Sequence, residues 1–284
     1  RLVEEGHKVI VIDNFVSGKK DNLSHHSKKN VKIIKSDISN NRKLYKHFKG
    51  VNYVFHLAGL AEIVPSIENP RKYFMNNTLG TLNILEAAKQ VKIKKFIYAA
   101  SSSCYGTPKK IPTRETDKID TKHPYAFTKF LGEEAVIKYA NFFRMPNISC
   151  RFFNVYGPRL NRTSQYGAVF SNFLTQKKRH KPLTIVGNGR QTRDFIHVDD
   201  LTNAFVILAK SNLKNKIYNL GSGKETSINK IASTIGGKKI FISKRPGDPN
   251  RSCANISKIK KDIYYHKIKS DHGHDAFFME FNQI

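Results

Sequence analysis

Short apolar runs alternate with longer helical stretches over the first half of the chain. VIVID at 9–13, VKIIKSD at 31–37, YVFHLAG at 53–59 and FIYAASS at 96–102 are the near-continuous apolar runs that strands of a parallel sheet require. Between the last two, NPRKYFMNNTLGTLNILEAAKQ puts Pro70 at a helix start and Leu82, Leu85 and Ala88 at three-residue spacing, so one face of that helix is expected to be buried. A second helix is expected from about Tyr125 to Phe143, and Ile148 to Phe153 reads as another buried strand. This alternation predicts an α/β fold built on a Rossmann-type doubly wound parallel sheet. From Asn154 the periodicity loosens and Gly, Asn and Arg become denser, so a smaller α/β lobe is expected there. The division is then 1–153 and, mainly, 154–284, with a segment near 194–210 that includes the helix Leu201 to Lys210 returning to the first lobe.

The opening RLVEEGHKVIVIDN reads as the end of a helix, a turn at Gly6 and a strand. A helix entering a strand in this way follows an earlier strand in α/β folds, so the chain is expected to start in mid-unit.

Composition narrows the class. The 284 residues are 25% charged and 39% hydrophobic, which excludes disordered and fibrous chains. No apolar run approaches the ~18 residues of a membrane helix, and no signal-peptide core opens the chain, so a cytoplasmic protein without membrane contact is expected. Cys104, Cys150 and Cys253 are odd in number and far apart, which suits reduced thiols rather than disulfides or a zinc site. Fifty basic against 22 acidic side chains give a net charge of +28 and invite a nucleic-acid reading. Against it, the basic residues are spread along the chain, and QKKRHK at 176–181 and SKIKKD at 257–262 fall in helix-like stretches where a solvated face is the usual role. No nucleic-acid partner is expected.

Ligands of a doubly wound sheet bind at the carboxyl ends of its strands. The first strand ends in Asp13 and Asn14, where a carboxylate can accept both ribose hydroxyls of an adenine dinucleotide; Lys19 and Lys20 nearby could instead pair with a 2′-phosphate. Asp37 and Ile38 end the second strand, and Leu57, Ala58 and Gly59 end the third, where small residues let backbone approach a flat ring or a pyrophosphate. Tyr125 and Lys129 lie four residues apart on one helix face, behind Pro124, and follow a strand that ends in the hydroxyls Ser101, Ser102 and Ser103. Bringing a phenol from about 10 towards neutrality takes roughly three pKa units, about 4 kcal/mol, which a nearby ammonium and a cationic nicotinamide could jointly supply. Tyr125 would then serve as a general base, with Ser101 bonding the same substrate hydroxyl. The spacing alone recurs at Tyr45/Lys49, Tyr105/Lys109 and Tyr265/Lys269, and only Tyr125 has the strand and helix context.

In order along the chain, FIYAASSSCYG, HPYAFTK, RFFNVYGPR, GNGRQTRDFIHVDD and RPGD resemble the extended short-chain dehydrogenase/reductase family, in particular its NAD-dependent nucleotide-sugar 4-epimerases of the UDP-glucose 4-epimerase kind. The resemblance runs from about Val9 to Lys260. It implies that Tyr125 removes the proton from the carbon-4 hydroxyl, Lys129 holds the nicotinamide ribose and lowers the Tyr125 pKa, and Ser101 steadies that hydroxyl. NAD would take the carbon-4 hydride, the 4-keto sugar would turn over, and the hydride would return to its other face. Asp13, Asn14, Asp37, Ile38, Leu57, Ala58, Gly59, Asn77, Tyr125, Lys129 and Phe153 match positions around NAD. Ser102, Ser103, Asn154, Arg193, Arg245 and Asp248 match positions around the UDP-sugar, the arginines on its diphosphate, which a guanidinium fork suits.

Within the family, dehydratases carry an Asp-Glu pair where this chain has Ser102 and Ser103, and decarboxylases of UDP-glucuronate a Glu where Ser103 stands, so epimerisation is the expected reaction. UDP-glucuronate 4-epimerisation, another family reaction, and a non-catalytic Rossmann protein remain as alternatives. Ser252 matches the position that limits space beside the carbon-2 substituent, so N-acetylated UDP-hexoses are expected substrates as well. The resemblance also implies a Gly-rich phosphate loop ahead of Arg1, hence weak NAD binding by this chain, and a homodimer formed by packing helices 71–90 and 125–143 into a four-helix bundle. His272, His274 and Asp275 read as a polar tail, and no metal is expected.

Overall fold

The computed structural model describes residues 1–40, 44–159, 169–243 and 249–268, the side chains of the last helix as far as Ile263. The strand-like runs of the first half form β1 (Val9–Asp13), β2 (Val31–Lys35) and β3 (Tyr53–His56), followed by α1 (Ile63–Glu68), α2 (Pro70–Tyr73), α3 (Gly80–Gln90), β4 (Lys95–Ser101), α4 (Pro124–Phe143) and β5 (Asn147–Phe152). The second half gives β6 (Asn154–Tyr156), α5 (Val169–Lys178), β7 (Leu183–Val186), β8 (Thr192–His197), α6 (Val198–Lys210) and β9 (Lys216–Leu220). It ends with β10 (Glu225–Ser227), α7 (Ile228–Ile235), β11 (Lys239–Ile242) and α8 (Ser257–Ile268). No helix among the described residues is long and apolar enough to cross a membrane.

All seven residues of β4 are buried, because β4 lies inside a parallel sheet of order β3-β4-β5-β9 with cover on both faces. The strand's two-residue period divides them. Phe96, Tyr98 and Ala100 face a core with Ile84, Leu85 and Ala88 of α3 and Val136 of α4, whereas Ile97 faces a core with Leu201, Phe205 and Leu208 of α6 and Ile259 and Ile263 of α8. The return to the first lobe is thus longer than the sequence indicates, since β9 joins the main sheet and α8 covers it. A third core, with Phe173, Leu183, Ile185, Ile228 and Ile231, belongs to α5, β7 and α7. Around it lie the pair β7-β11 and the sheet β10-β8-β6.

The helix expected from Pro70 is a single path with a π-helical turn, Phe74–Leu79, between α2 and α3. Asn69 caps its start by accepting from the Lys72 N–H at 3.2 Å. The inward stripe is Asn77, Thr81, Leu85 and Ala88, each 0% exposed, while Leu82 is only half-buried. Within α3 the stripe keeps the four- and three-residue steps of an α-helix, and Leu82, one residue past Thr81, falls at its edge.

β1 and β2 form their own parallel pair. Among the described residues β1 bonds only β2 and β3 only β4, and a cleft of about 1790 Å³ separates β1 from β3.

Candidate active site

β4 leaves the core at Ser101, whose extended backbone makes it the cap of a 3₁₀ turn, Ser102–Tyr105. Its Oγ accepts from the Ser103 N–H at 3.2 Å and from the Tyr125 hydroxyl at 3.1 Å. Tyr125 is the second residue of α4, and the start of α4 is fixed by Pro124 and by His123, whose Nδ1 accepts from the Ala126 N–H at 3.2 Å. Burial holds the His123 ring below its usual range, which keeps that nitrogen an acceptor, and the ring stacks on Tyr125 at 5.8 Å and 7°.

Lys129 follows one turn later and is 6% exposed. Its Nζ lies 4.4 Å from the Tyr98 ring centroid and 3.6 Å from where a side-chain carbon on Gly59 would stand, which brings it to the end of β3. Burial pulls its pKa down to about 7, against the opposing pull of the Glu133 carboxylate. The Tyr125 phenol is pushed up by burial, and the group that counters the rise is Ser101. The Lys129 ammonium lies by Tyr98 and Gly59, and Ser101 is the group that bonds the phenol.

Seven of the eleven expected cofactor residues gather at the cleft, and Asn77, Tyr125, Lys129 and Phe153 are not among its lining. Asp13, Asn14, Asp37, Ile38, Leu57, Ala58 and Gly59 all line it. The Asp13 carboxylate accepts from the Phe15 N–H at 2.6 Å, and a side chain at Gly18 would meet its other oxygen at 2.8 Å, so the carboxylate faces a residue that leaves it room. Asp37 accepts from Asn14 at 3.0 Å and from the Ser39 hydroxyl and N–H at 2.6 and 2.8 Å, and these bonds, Ser39 foremost, hold its carboxyl below the usual range. A carboxylate at a strand end, small residues at the next and a lysine beyond suit a dinucleotide laid across the sheet. Lys19 and Lys20 are exposed, Lys20 lying over the Phe15 ring at 5.5 Å.

Asn77 differs from expectation. It is 0% exposed, its Oδ1 accepts from the Leu60 N–H at 2.7 Å, and its Nδ2 donates to the Leu60 carbonyl at 3.0 Å and to Thr128 at 3.1 Å. It pins the Leu57–Leu60 loop to α4 and has no side-chain surface left for a ligand. Ile38 and Phe153 are also nearly closed to solvent, at 7% and 6%, Phe153 in a small core with Cys104, Tyr105 and Ala254.

On the substrate side, Ser102 and Ser103 are half-buried on the 3₁₀ turn, Asn154 opens β6, and Arg193 on β8 donates to the Thr192 carbonyl at 2.7 Å. Ser252 is half-buried beside Cys253 and Ala254. Buried Asp194 ties this region together by accepting from the N–H groups of Ser222, Gly223 and Ala254 at 2.6, 3.0 and 2.9 Å. Arg245, Asp248, His272, His274 and Asp275 lie outside the described residues.

Two further charged residues reach this region. Glu133 lies one turn beyond Lys129, and Arg151 stands in the buried strand β5. The first extends the Tyr125, Lys129 spacing by another four residues. The second is a charge inside the apolar run ISCRF, which is itself the signal of a buried partner.

Because Lys129 has a lowered pKa in the folded chain, the unfolded chain binds more protons between about pH 7 and 10.5, so this group's contribution to stability rises with pH. Chemical denaturation should therefore show the stability of Lys129→Met relative to wild type to be most favourable below about pH 7 and to decline, by on the order of a few kcal/mol, towards pH 10. A difference that is flat with pH would exclude the lowered pKa.

A family model described as "NAD dependent epimerase/dehydratase family" matches residues 1–221. Over 266 residues the chain is 33% identical to a putative UDP-glucose 4-epimerase of Methanocaldococcus jannaschii, covering 91% of this chain and 85% of that protein. The UDP-N-acetylglucosamine 4-epimerase of Methanobrevibacter ruminantium, solved with UDP-N-acetylmuramic acid, superposes with a TM-score of 0.86 at 32% identity, covering 97% of this chain and 88% of that one. The UDP-glucuronic acid 4-epimerase of Bacillus cereus, solved with UDP-glucuronic acid and NAD, gives 0.84 at 29% identity over 99% and 90% of the two chains. With its sheet order, its Tyr125–Ser101 contact and its family match in agreement, the chain belongs to the NAD-dependent epimerase/dehydratase family.

Proposed function

We propose that this chain is an NAD-dependent UDP-hexose 4-epimerase. The observation that carries the reading is the 3.1 Å contact between Tyr125 and Ser101 at the end of β4, with serines rather than acids at 102 and 103. Bound NAD supplies a reversible hydride acceptor. Tyr125, ionised with the help of the Lys129 ammonium and the positive charge of bound NAD, would take the proton of the carbon-4 hydroxyl, Ser101 would hold that hydroxyl against the phenolate, and Lys129, on the same helix face, would bind the nicotinamide ribose. Elimination of water would need a further acid and base, and neither Ser102 nor Ser103 has the acidity for it. Residues 1–153 with the returning elements α6, β9 and α8 hold the cofactor, and the remainder of 154–284 holds most of the UDP-sugar, with Asn154, Arg193, Arg245, Asp248 and Ser252 around it. The three cysteines are free and buried, which suits a reducing compartment such as the cytoplasm.

A homodimer accompanies this reading. Phe74 and Phe127 are 37% and 41% exposed and meet edge to face at 5.8 Å, and Ile63 and Ile67 of α1 add exposed apolar surface. Helices with exposed apolar side chains favour a self-complementary partner, here a four-helix bundle of two copies. Sedimentation should give twice the chain mass, and Phe74→Glu/Phe127→Glu should give the monomer. A monomeric wild type at micromolar concentration excludes the bundle.

The decisive assay supplies NAD and a panel of UDP-glucose, UDP-galactose, their N-acetyl forms and UDP-glucuronate, and separates the 4-epimers by chromatography. Tyr125→Phe should lower kcat by about 10²–10⁴ with sugar binding retained. Product lacking water or carbon dioxide, or no product from any of the sugars once NAD is raised until its binding saturates, rejects the reading. For the carbon-2 pocket, Ser252→Tyr should abolish turnover of the N-acetyl sugars and spare the plain hexoses, whereas equal loss of both rejects the role of Ser252.

A further inference from the structure

A single buried guanidinium joins the two elements that carry Tyr125 and Ser101. Arg151 is 3% exposed, and its nitrogens are divided between them. Towards α4, Nε lies 3.1 Å from both Glu133 oxygens and Nη2 donates to Oε1 at 2.6 Å. Towards the 3₁₀ turn after Ser101, Nη1 donates to the Tyr105 hydroxyl at 2.8 Å and to the Glu115 carbonyl at 3.1 Å. The guanidinium also stands 4.9 Å from the Tyr105 ring centroid.

Both ends of this bridge are anchored. Glu133, 1% exposed, also accepts from Ser149 at 2.8 Å, so its carboxylate is held on β5 by two residues. The Tyr105 hydroxyl donates to Asn219 Oδ1 at 2.7 Å, and Asn219 is fixed by its own bonds to the Thr113 carbonyl at 2.9 Å and, through its N–H, to the Glu115 carboxylate at 2.8 Å. Glu133 is two turns beyond Tyr125 on the same helix, and Tyr105 is the last residue of the turn that Ser101 caps. The separation of phenol and hydroxyl is therefore spanned by Tyr125, α4, Glu133, Arg151, Tyr105 and Ser101 in a closed ring of contacts.

We propose that Arg151 is a positioning residue for proton transfer: acting through Glu133 and Tyr105, it fixes the distance between the Tyr125 phenol and the Ser101 hydroxyl. The inference rests on the reading of Tyr125 as the base. A well-packed apolar pair would fill the same volume at no desolvation cost, so what the charged pair adds is direction. A planar fork can address Glu133 on one edge and Tyr105 on another at once, and a lysine ammonium on a flexible stem cannot. Displacements near 1 Å in a reacting geometry cost on the order of 10²-fold in rate.

The test uses the full chain with NAD. Arg151→Met alone leaves Glu133 charged and unpaired in the core, so the folding control is Glu133→Gln/Arg151→Met, which removes both charges together. Tyr105→Phe keeps the ring and severs only the link to Arg151 and Asn219. It should lower kcat about 10-fold with KM changed less than about twofold. The same substitution in a Ser101→Ala background should have no further effect on kcat, and Arg151→Lys should behave like the double variant. In crystal structures of Tyr105→Phe and the double variant, the Tyr125–Ser101 separation should exceed about 3.5 Å. An unchanged separation, additive losses in the Ser101→Ala background, or a lowered melting temperature with unaltered kcat would each overturn the proposal. If the wild type turns over no UDP-hexose, that failure falls on the activity reading, and the crystallographic separation still decides the positioning role.

Discussion

The closeness of α4 to β4 governs the site. A side-chain carbon at Gly132 would lie 2.3 Å from the Tyr98 hydroxyl and 3.2 Å from the Asn77 carbonyl, so the helix approaches the sheet and the π turn as nearly as a backbone can. Tyr98, 0% exposed, fills the space beneath and donates to the Lys129 carbonyl at 3.1 Å. Tyr125 and Lys129 reach the ends of β4 and β3 only because the helix runs at this height. Interiors packed this densely transmit a displacement instead of absorbing it, so a lifted helix would separate Tyr125 from Ser101 and Lys129 from Gly59 together.

The charges under this helix obey one rule. His56 and Lys129 are both buried, and burial pulls both pKa values down, His56 to about 3 and Lys129 to about 7. His56 stays neutral and bonds Thr81 at 2.9 Å, a role in the core and not in chemistry. Lys129 differs because Glu133 stands one turn away and favours its charged form. Glu133 therefore serves two cations, Arg151 by direct contact and Lys129 through the field of one helix turn.

Much of this was legible in the sequence, for reasons that differ by element. β4 and β5 were legible because a strand buried on both faces can hold little but apolar side chains, whereas β1, only half-buried, was legible from its apolar run alone; the ends of β1 and β4 followed from the first polar residue, Asp13 or Ser101. Tyr125 was separable from the other Tyr-Lys spacings by its position at a helix start, and Tyr105 turned out to be a buried member of the Arg151 network. The π turn was not legible, since it depends on tertiary packing of Asn77 against Leu60 and Thr128. Nor was the true role of Asn77, because an amide that binds a ligand and one that binds a loop look alike in sequence. The partners of Arg151 come from residues as distant as Glu115 and Glu133, a juxtaposition only the fold creates.

The cleft between β1 and β3 has a consequence for the behaviour of the chain in solution. Among the described residues β1 and β3 each pair on one side only, and strands so placed present rows of backbone donors and acceptors on which a further strand can add. The opposing force is the charge of +28, which makes each molecule repel its neighbours over a Debye length of about 10 Å at 0.1 M salt and only about 3 Å at 1 M. Colloidal stability is thereby tied to ionic strength: dilute buffer keeps the open edges apart, and concentrated salt removes the barrier that guards them.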